Sequence, residues 1–244
     1  MHFTEYWAIV ERDHTIQNPS SPAKLALLGE YCRVAAGARV LDIGCGKAWL
    51  LRRWARDYGI AGTGIEINAA FLAEAHTHAA AEDVSNHLTL IEGGALDIAV
   101  EPQSYDIVLC LGASFALGGF DAAIGWMRRA VRPGGTIAIG EPFATQLPLP
   151  PALATEWGSG MRDMPGLVET LEQDDLVLTG MILSSPDDWD HYESLHWRAA
   201  LEWAERNPDH PDRMQLVTRV VANRDRYLRW ERQAINWGIF VVRA

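Results

Sequence analysis

Val40-Leu41-Asp42-Ile43-Gly44-Cys45-Gly46-Lys47-Ala48 is the stretch on which the fold turns. Three apolar residues and one acid form a short run with the character of a buried strand. Glycines end it, and residues 48–58 then read as a helix. Glycine at such a turn permits positive-φ backbone and lets a ligand approach the main chain closely. In an open parallel sheet, the carboxyl end of the first strand is where ligands settle.

Outward from this stretch, apolar runs alternate with helical patterns. Strands are expected at residues 60–67, 88–91, 105–111 and 136–140, and helices at 69–82 and 121–131. That alternation predicts an α/β chain with a doubly wound, Rossmann-like, mostly parallel sheet. Runs that are apolar throughout suit strands covered on both faces. Arg132-Pro133-Gly134-Gly135 ends a helix and leads into the fifth strand. Beyond Glu141 the rhythm changes. Pro142 and Leu147-Pro148-Leu149-Pro150-Pro151 are expected to break regular structure. A strand at 176–183, helices at 186–206 and 211–233, and a last strand at 236–243 follow. The expected organisation is one domain over 1–244: an N-terminal helical segment (1–37), a ligand-binding core (38–142), a connector (143–175), a helical insertion (184–234) and a final strand (235–244).

Two cofactor classes use a glycine turn of this kind. A dinucleotide site wants G-x-G-x-x-G or A. Counted from Gly44, the sixth residue is Trp49, whose indole opposes the close helix–strand packing that a small residue gives there. Glu66, in Gly62-Thr63-Gly64-Ile65-Glu66-Ile67-Asn68, ends the second strand and offers a carboxylate to both hydroxyls of a ribose. That supports nucleoside binding without choosing between the classes.

The pattern actually present, D-x-G-x-G-x-A, resembles motif I of the class I S-adenosylmethionine-dependent methyltransferases, with Ala48 where the family often has glycine. Three further landmarks are similar to the family's in order and spacing: Ile91-Glu92-Gly93-Gly94-Ala95-Leu96-Asp97 after the third strand, Tyr105 through Phe115, and Val131-Arg132-Pro133-Gly134-Gly135. Together they cover about residues 38–142. The resemblance implies a seven-stranded sheet with an antiparallel last strand, the two inserted helices lying between strands six and seven as a substrate lid. It implies S-adenosylmethionine as cofactor, with S-adenosylhomocysteine as product. Its contacts would fall at Asp42, Gly44, Cys45 and Gly46, at Glu66 and Ile67, at Gly94, Ala95 and Leu96, and at Leu111 and Gly112. Gly94 occupies the place of the family's adenine-binding acid, so either the backbone at Ala95 and Leu96 or the Asp97 side chain takes that role.

The cofactor's methyl is already activated on a sulfonium, so holding the acceptor in line and excluding water is the main task. A base is needed only if the acceptor must lose a proton early. His14, Glu141 and His191 are the candidates, with exposed, non-catalytic positions the more ordinary expectation for both histidines and Glu141 expected on the pocket wall. No histidine–carboxylate set has metal-ligand spacing along the chain, and none of the three cysteines (Cys32, Cys45, Cys110) forms a CxxC pair, so no metal is expected. Trp157, Trp189, Trp197, Trp203, Trp230 and Trp237 gather toward the C-terminus and fit a lid with an aromatic inner face.

Composition narrows the partner. Lys and Arg total 21 against 32 Asp and Glu, a net charge of −11, which opposes phosphate backbones and anionic lipid. No apolar run is long enough to span a bilayer, and no secretory signal is evident, so the expected location is the cytoplasm. The N/D-P-P-Y/F signature of amino-group methyltransferases and the Pro-Cys pair of pyrimidine methyltransferases are both missing. The expected acceptor is a small, partly apolar molecule. A protein or RNA acceptor, and a non-catalytic binder of the cofactor, remain the alternatives.

Overall fold

The computed structural model describes residues 1–158, 160–173 and 176–244; Ser159, Asp174 and Asp175 of the expected connector lie outside the described residues. Helices α1 (Phe3–Val10) and α2 (Pro22–Tyr31) precede β1 (Arg39–Ile43). Then come α3 (Trp49–Tyr58), β2 (Ala61–Glu66), α4 (Ala69–Ala81), β3 (Leu88–Glu92), β4 (Tyr105–Leu111), α5 (Phe120–Ala130) and β5 (Val131–Ala144). The chain continues through α6 (Pro151–Trp157), α7 (Met164–Glu172), β6 (Val177–Leu183), α8 (Pro186–Arg206), α9 (Arg213–Arg226) and β7 (Ile235–Arg243).

The seven strands form one sheet in the order β3-β2-β1-β4-β5-β7-β6. β7 runs antiparallel to both neighbours, and the other pairs are parallel. Strand order reverses between β1 and β4, which opens a crevice at their carboxyl ends. Strand side chains alternate between two cores. Leu41, Ile43, Val108, Cys110, Ile137 and Ile139 pack with α5 and α7; Val40, Ile107, Leu109 and Ala138 pack with α2 and α3, around the buried Trp54.

Three expectations need correction. Pro142 does not break the chain: β5 continues to Ala144 and pairs Pro142 with Trp237. Past Gly140 it has left β4 behind, and a strand with one open side tolerates a residue that cannot donate. Residues 132–135 leave the ladder as a bulge between the pairs Tyr105–Val131 and Ile107–Thr136, so the expected turn is a detour inside a longer strand. The connector holds two short helices, each with proline in its first turn, and Asp163 caps the second by accepting from the Gly166 amide.

The insertion begins at Ser185, whose side chain caps α8 in a reciprocal box with Asp188. The second helical run nearly fills its expected span but is interrupted, because residues Tyr227–Glu231 form a π turn before α-helix resumes at Arg232–Ala234. α1 does not join the sheet. Tyr6, Ile9 and Val10 pack on Ala200, Leu216 and Val220 of the inserted helices, with Trp7, Trp197 and Trp203 around them. The N-terminal helix and the insertion therefore form one roof over the sheet's carboxyl edge.

Candidate active site

The glycine turn after β1 is built around backbone that a side chain would obstruct. Gly44 has φ +68°, and a Cβ there would lie 2.4 Å from that of Ala113. Its amide and that of Cys45 both donate to the Ile65 carbonyl, tying the turn to β2. Glu66 fixes the same turn from the other side. One carboxylate oxygen accepts from the Gly46 amide at 3.0 Å and the other from Asn68 at 2.9 Å. Burial raises the Glu66 pKa, and these amides oppose that rise.

A cavity of about 450 Å³ lies over this turn, between the carboxyl ends of β1, β2 and β4. Gly44, Gly46, Glu66, Ile67, Gly94, Ala95, Leu96, Leu111 and Gly112 line it. Asp42 and Cys45 do not. Both border a separate hollow of about 50 Å³ beneath the turn, and the Cys45 sulfur fills the space beside Gly64. Burial and the neighbouring Glu66 push the Asp42 carboxyl up to about 8. Near Gly94, the Asp97 carboxylate folds back so that one oxygen lies 2.7 Å from where a Cβ on Gly94 would be. A side chain at position 94 would therefore collide with Asp97.

The N-terminal segment supplies wall residues that the sequence alone did not reveal: Phe3, Trp7, Glu11 and Gln17. Gln17 accepts from the Lys47 amide at 2.7 Å, which clamps the segment onto the glycine turn. Their contribution depends on how α1 docks against the insertion, and no local spacing records that. These features fit an adenosine-bearing cofactor: a buried carboxylate at the end of β2, a side-chain-free turn under it, apolar walls from Ile67 and Leu96, and an acid at Asp97.

A second cavity, of about 390 Å³, adjoins the first under the insertion. Trp7, Gln17, Gly112 and Tyr192 line both. Trp157, Trp189, Trp197 and Trp237, with Tyr6 and Tyr227, wall the second. Trp203 and Trp230 are not part of it: Trp203 packs edge-on against His210, and Trp230 is 44% exposed. The π turn aims two groups inward, Tyr227 and Glu231, the second of which accepts from Trp157 at 2.9 Å and from Arg226 at 2.7 Å.

The base candidates fare differently. His191 is exposed on α8 and borders neither cavity. His14 is 2% exposed, contrary to the expectation of an ordinary surface histidine, and it too borders neither. Glu141 is not among the wall residues either. β-strand alternation sends it to the face opposite Gly140, whose Cβ position meets Trp237. Glu141 is largely buried, and burial pushes it up to about 7, opposed by a Ser114 hydrogen bond and by Arg162. A carboxyl whose pKa is higher folded than unfolded stabilises fully below its unfolded value of 4.5, and that stabilisation is lost as pH rises toward 7. Glu141→Gln is therefore expected to flatten the thermal-unfolding profile over this window and to raise stability at pH 8. An unchanged slope in the variant would rule the assignment out.

Where the two cavities meet, the fold assembles groups from opposite ends of the chain. Glu11, 4% exposed, accepts from the Tyr192 hydroxyl and pairs with His196 Nε2, both at 2.9 Å. These bonds hold Glu11 below the usual carboxylate range and, with Glu193, raise His196 to about 9 against its burial. His14 lies beside them, its ring centroid 4.5 Å from that of His196, and burial lowers its pKa. The expectation that no metal-ligand set exists rested on linear spacing; one ligand atom each from Glu11, His14 and His196 lies within 4.8 Å of the others.

The sheet order and the glycine turn are those of a class I S-adenosylmethionine-dependent methyltransferase, and the chain belongs to that family. Residues 40–135 match the family model described as a methyltransferase domain. The Escherichia coli protein YjhP is 33% identical over 99% of both chains. A crystal structure of a SAM-dependent methyltransferase from Geobacter sulfurreducens in complex with S-adenosylhomocysteine is 33% identical, with a TM-score of 0.91 over 98% of this chain and 97% of that one. The 27-O-demethylrifamycin SV methyltransferase of Amycolatopsis mediterranei is 28% identical over 68% of this chain and 62% of its own length. S-adenosylmethionine is the family's cofactor.

Proposed function

We propose that the protein methylates a small, partly apolar molecule held in the tryptophan-walled cavity. The observation that carries this reading is the meeting of the two cavities at Gly112. Its φ is +96°, and the nearest atom to a Cβ there would be 3.9 Å away, on Trp237. A side chain at this point would stand between cofactor and acceptor; glycine leaves the way open.

When bound, S-adenosylmethionine supplies the methyl on a positively charged sulfur, and attack by the acceptor needs chiefly alignment and exclusion of water. The chain's own residues are suited to both. Glu66 is the ribose acceptor, the turn at Gly44 and Gly46 seats the amino-acid portion, and Asp97 serves the adenine amino group in place of an acid at position 94. Tyr192 and Trp7 roof the junction. The indoles give large, stiff apolar area, and ring edges and faces favour planar or cationic groups. The name of the rifamycin relative denotes a small-molecule acceptor, which supports this reading over a macromolecular one, as does the net charge of −11.

The test is transfer of isotope-labelled methyl to a panel of small hydroxyl, amine, thiol and carboxylate compounds, run beside RNA and protein extracts. Label is expected in the small-molecule fraction. Trp189→Ala is expected to raise the acceptor KM about tenfold, the loss of roughly 1.4 kcal/mol of apolar contact, while S-adenosylhomocysteine affinity changes less than threefold. Label confined to macromolecules would overturn the reading, and binding of the cofactor without transfer to any acceptor would favour a non-catalytic role.

A further inference from the structure

Glu11, His14 and His196 have a bonding problem that their mutual contacts do not solve. His14 Nε2 lies 2.9 Å from the Tyr192 carbonyl. A carbonyl only accepts, so Nε2 carries the proton, and in the neutral ring Nδ1 is left with a lone pair. That nitrogen faces Glu11 Oε2 at 3.6 Å. Both atoms are buried and neither has a hydrogen-bond partner. Two electron-pair donors thus point at each other in a sealed place, an arrangement that costs free energy unless positive charge lies between them. The other Glu11 oxygen is 2.9 Å from His196 Nε2.

We propose that these three residues bind one divalent transition-metal ion of the zinc and cobalt class. Two imidazoles and a carboxylate suit such ions better than magnesium or calcium, which prefer oxygen. Ligand bonds of about 2.0–2.2 Å in tetrahedral geometry set ligand atoms about 3.4 Å apart, close to the spacing of His14 and Glu11. His196 must swing inward by about 1 Å and exchange its hydrogen bond for a metal bond, since the set now spans 4.8 Å. Lys47 does not compete for the carboxylate: its ammonium binds the Glu11 and Arg12 carbonyls and is matched by Glu74 at 2.8 Å. Three protein ligands leave a fourth position, as open sites do. Glu11 and His14 follow α1, whereas His196 belongs to α8, so the ion would pin the two halves of the roof together where the cavities meet.

The experiment uses tag-free full-length protein, treated with chelator and desalted, then titrated calorimetrically with zinc, cobalt or magnesium chloride. One equivalent of zinc is expected to bind, magnesium not to bind, and cobalt to develop visible absorption bands. Zinc is expected to raise the thermal midpoint of the parent protein. Glu11→Gln and His196→Gln are each expected to weaken zinc at least tenfold, with retained circular dichroism and a cooperative thermal transition showing that they fold. Replacing the exposed pair His76 and His78 on α4 is expected to change nothing. The proposal fails if zinc does not saturate at micromolar concentration, if magnesium binds equally, or if neither site variant weakens binding. Those results would assign the gap to a second proton on His14 or to a water.

Discussion

Replacing Glu66 by alanine is expected to lower the affinity for S-adenosylhomocysteine by about 100-fold or more. The carboxylate stands at the end of β2, buried, on the wall of the first cavity. Hydrogen bonds to a charged acceptor contribute about 1.5–3 kcal/mol each, and two ribose hydroxyls are in its reach on this account; tenfold in affinity corresponds to about 1.4 kcal/mol. The side chain also receives the Gly46 and Asn68 amides, so alanine also frees the glycine turn from that anchor. Glu66→Gln keeps the shape and one acceptor, and a smaller loss, about tenfold, is expected. Calorimetry on both variants checks this. A change below threefold for alanine would mean that the nucleoside does not sit at β2.

Glu11→Ala is expected to produce the largest loss of stability. In metal-free protein it removes the shared acceptor of the Tyr192 hydroxyl and the His196 ring. The histidine, held near 9 by Glu11 and Glu193, stays buried with one partner fewer. Breaking a buried ion pair from one side costs about 3–5 kcal/mol, which for a chain of this size lowers the unfolding midpoint by roughly 10 °C. The roof should loosen before the sheet does, because Glu11 joins α1 to α8 and not to any strand. Hydrogen exchange confined to residues 1–14 and 186–234 would bear that out; a loss under about 1 kcal/mol would show that water already replaces the carboxylate.

Much of the sheet is legible because strands covered on both faces leave a mark in the chain. Tyr105 through Leu111 is apolar nearly throughout, and its bounds agree with β4. The Pro186–Arg206 helix is equally plain, since Ser185, Pro186 and Asp188 mark its start chemically. Pro142 misleads because a proline's cost depends on whether a neighbour needs its missing donor, a property of sheet order. The π turn at Tyr227 is invisible to a 3.6-residue period that continues on both sides of it. Within the site, Gly44, Glu66 and Gly112 are legible because the turn chemistry is local. Asp42 belongs to the same glycine-turn stretch but does not line the first cavity; it borders a separate small hollow. Glu11 and His196 were missed since no local pattern links a helix end near the N-terminus to the face of an inserted helix; only the docking of α1 on the insertion brings them together.

Isothermal titration of cofactor-stripped protein with S-adenosylhomocysteine, in parallel with NAD, tests the central claim most directly. The account predicts one-to-one binding of S-adenosylhomocysteine, weakened in Glu66→Ala, and no heat from NAD. Binding of NAD in preference would contradict it, and the turn at Gly44 would then have to be reread as a dinucleotide site.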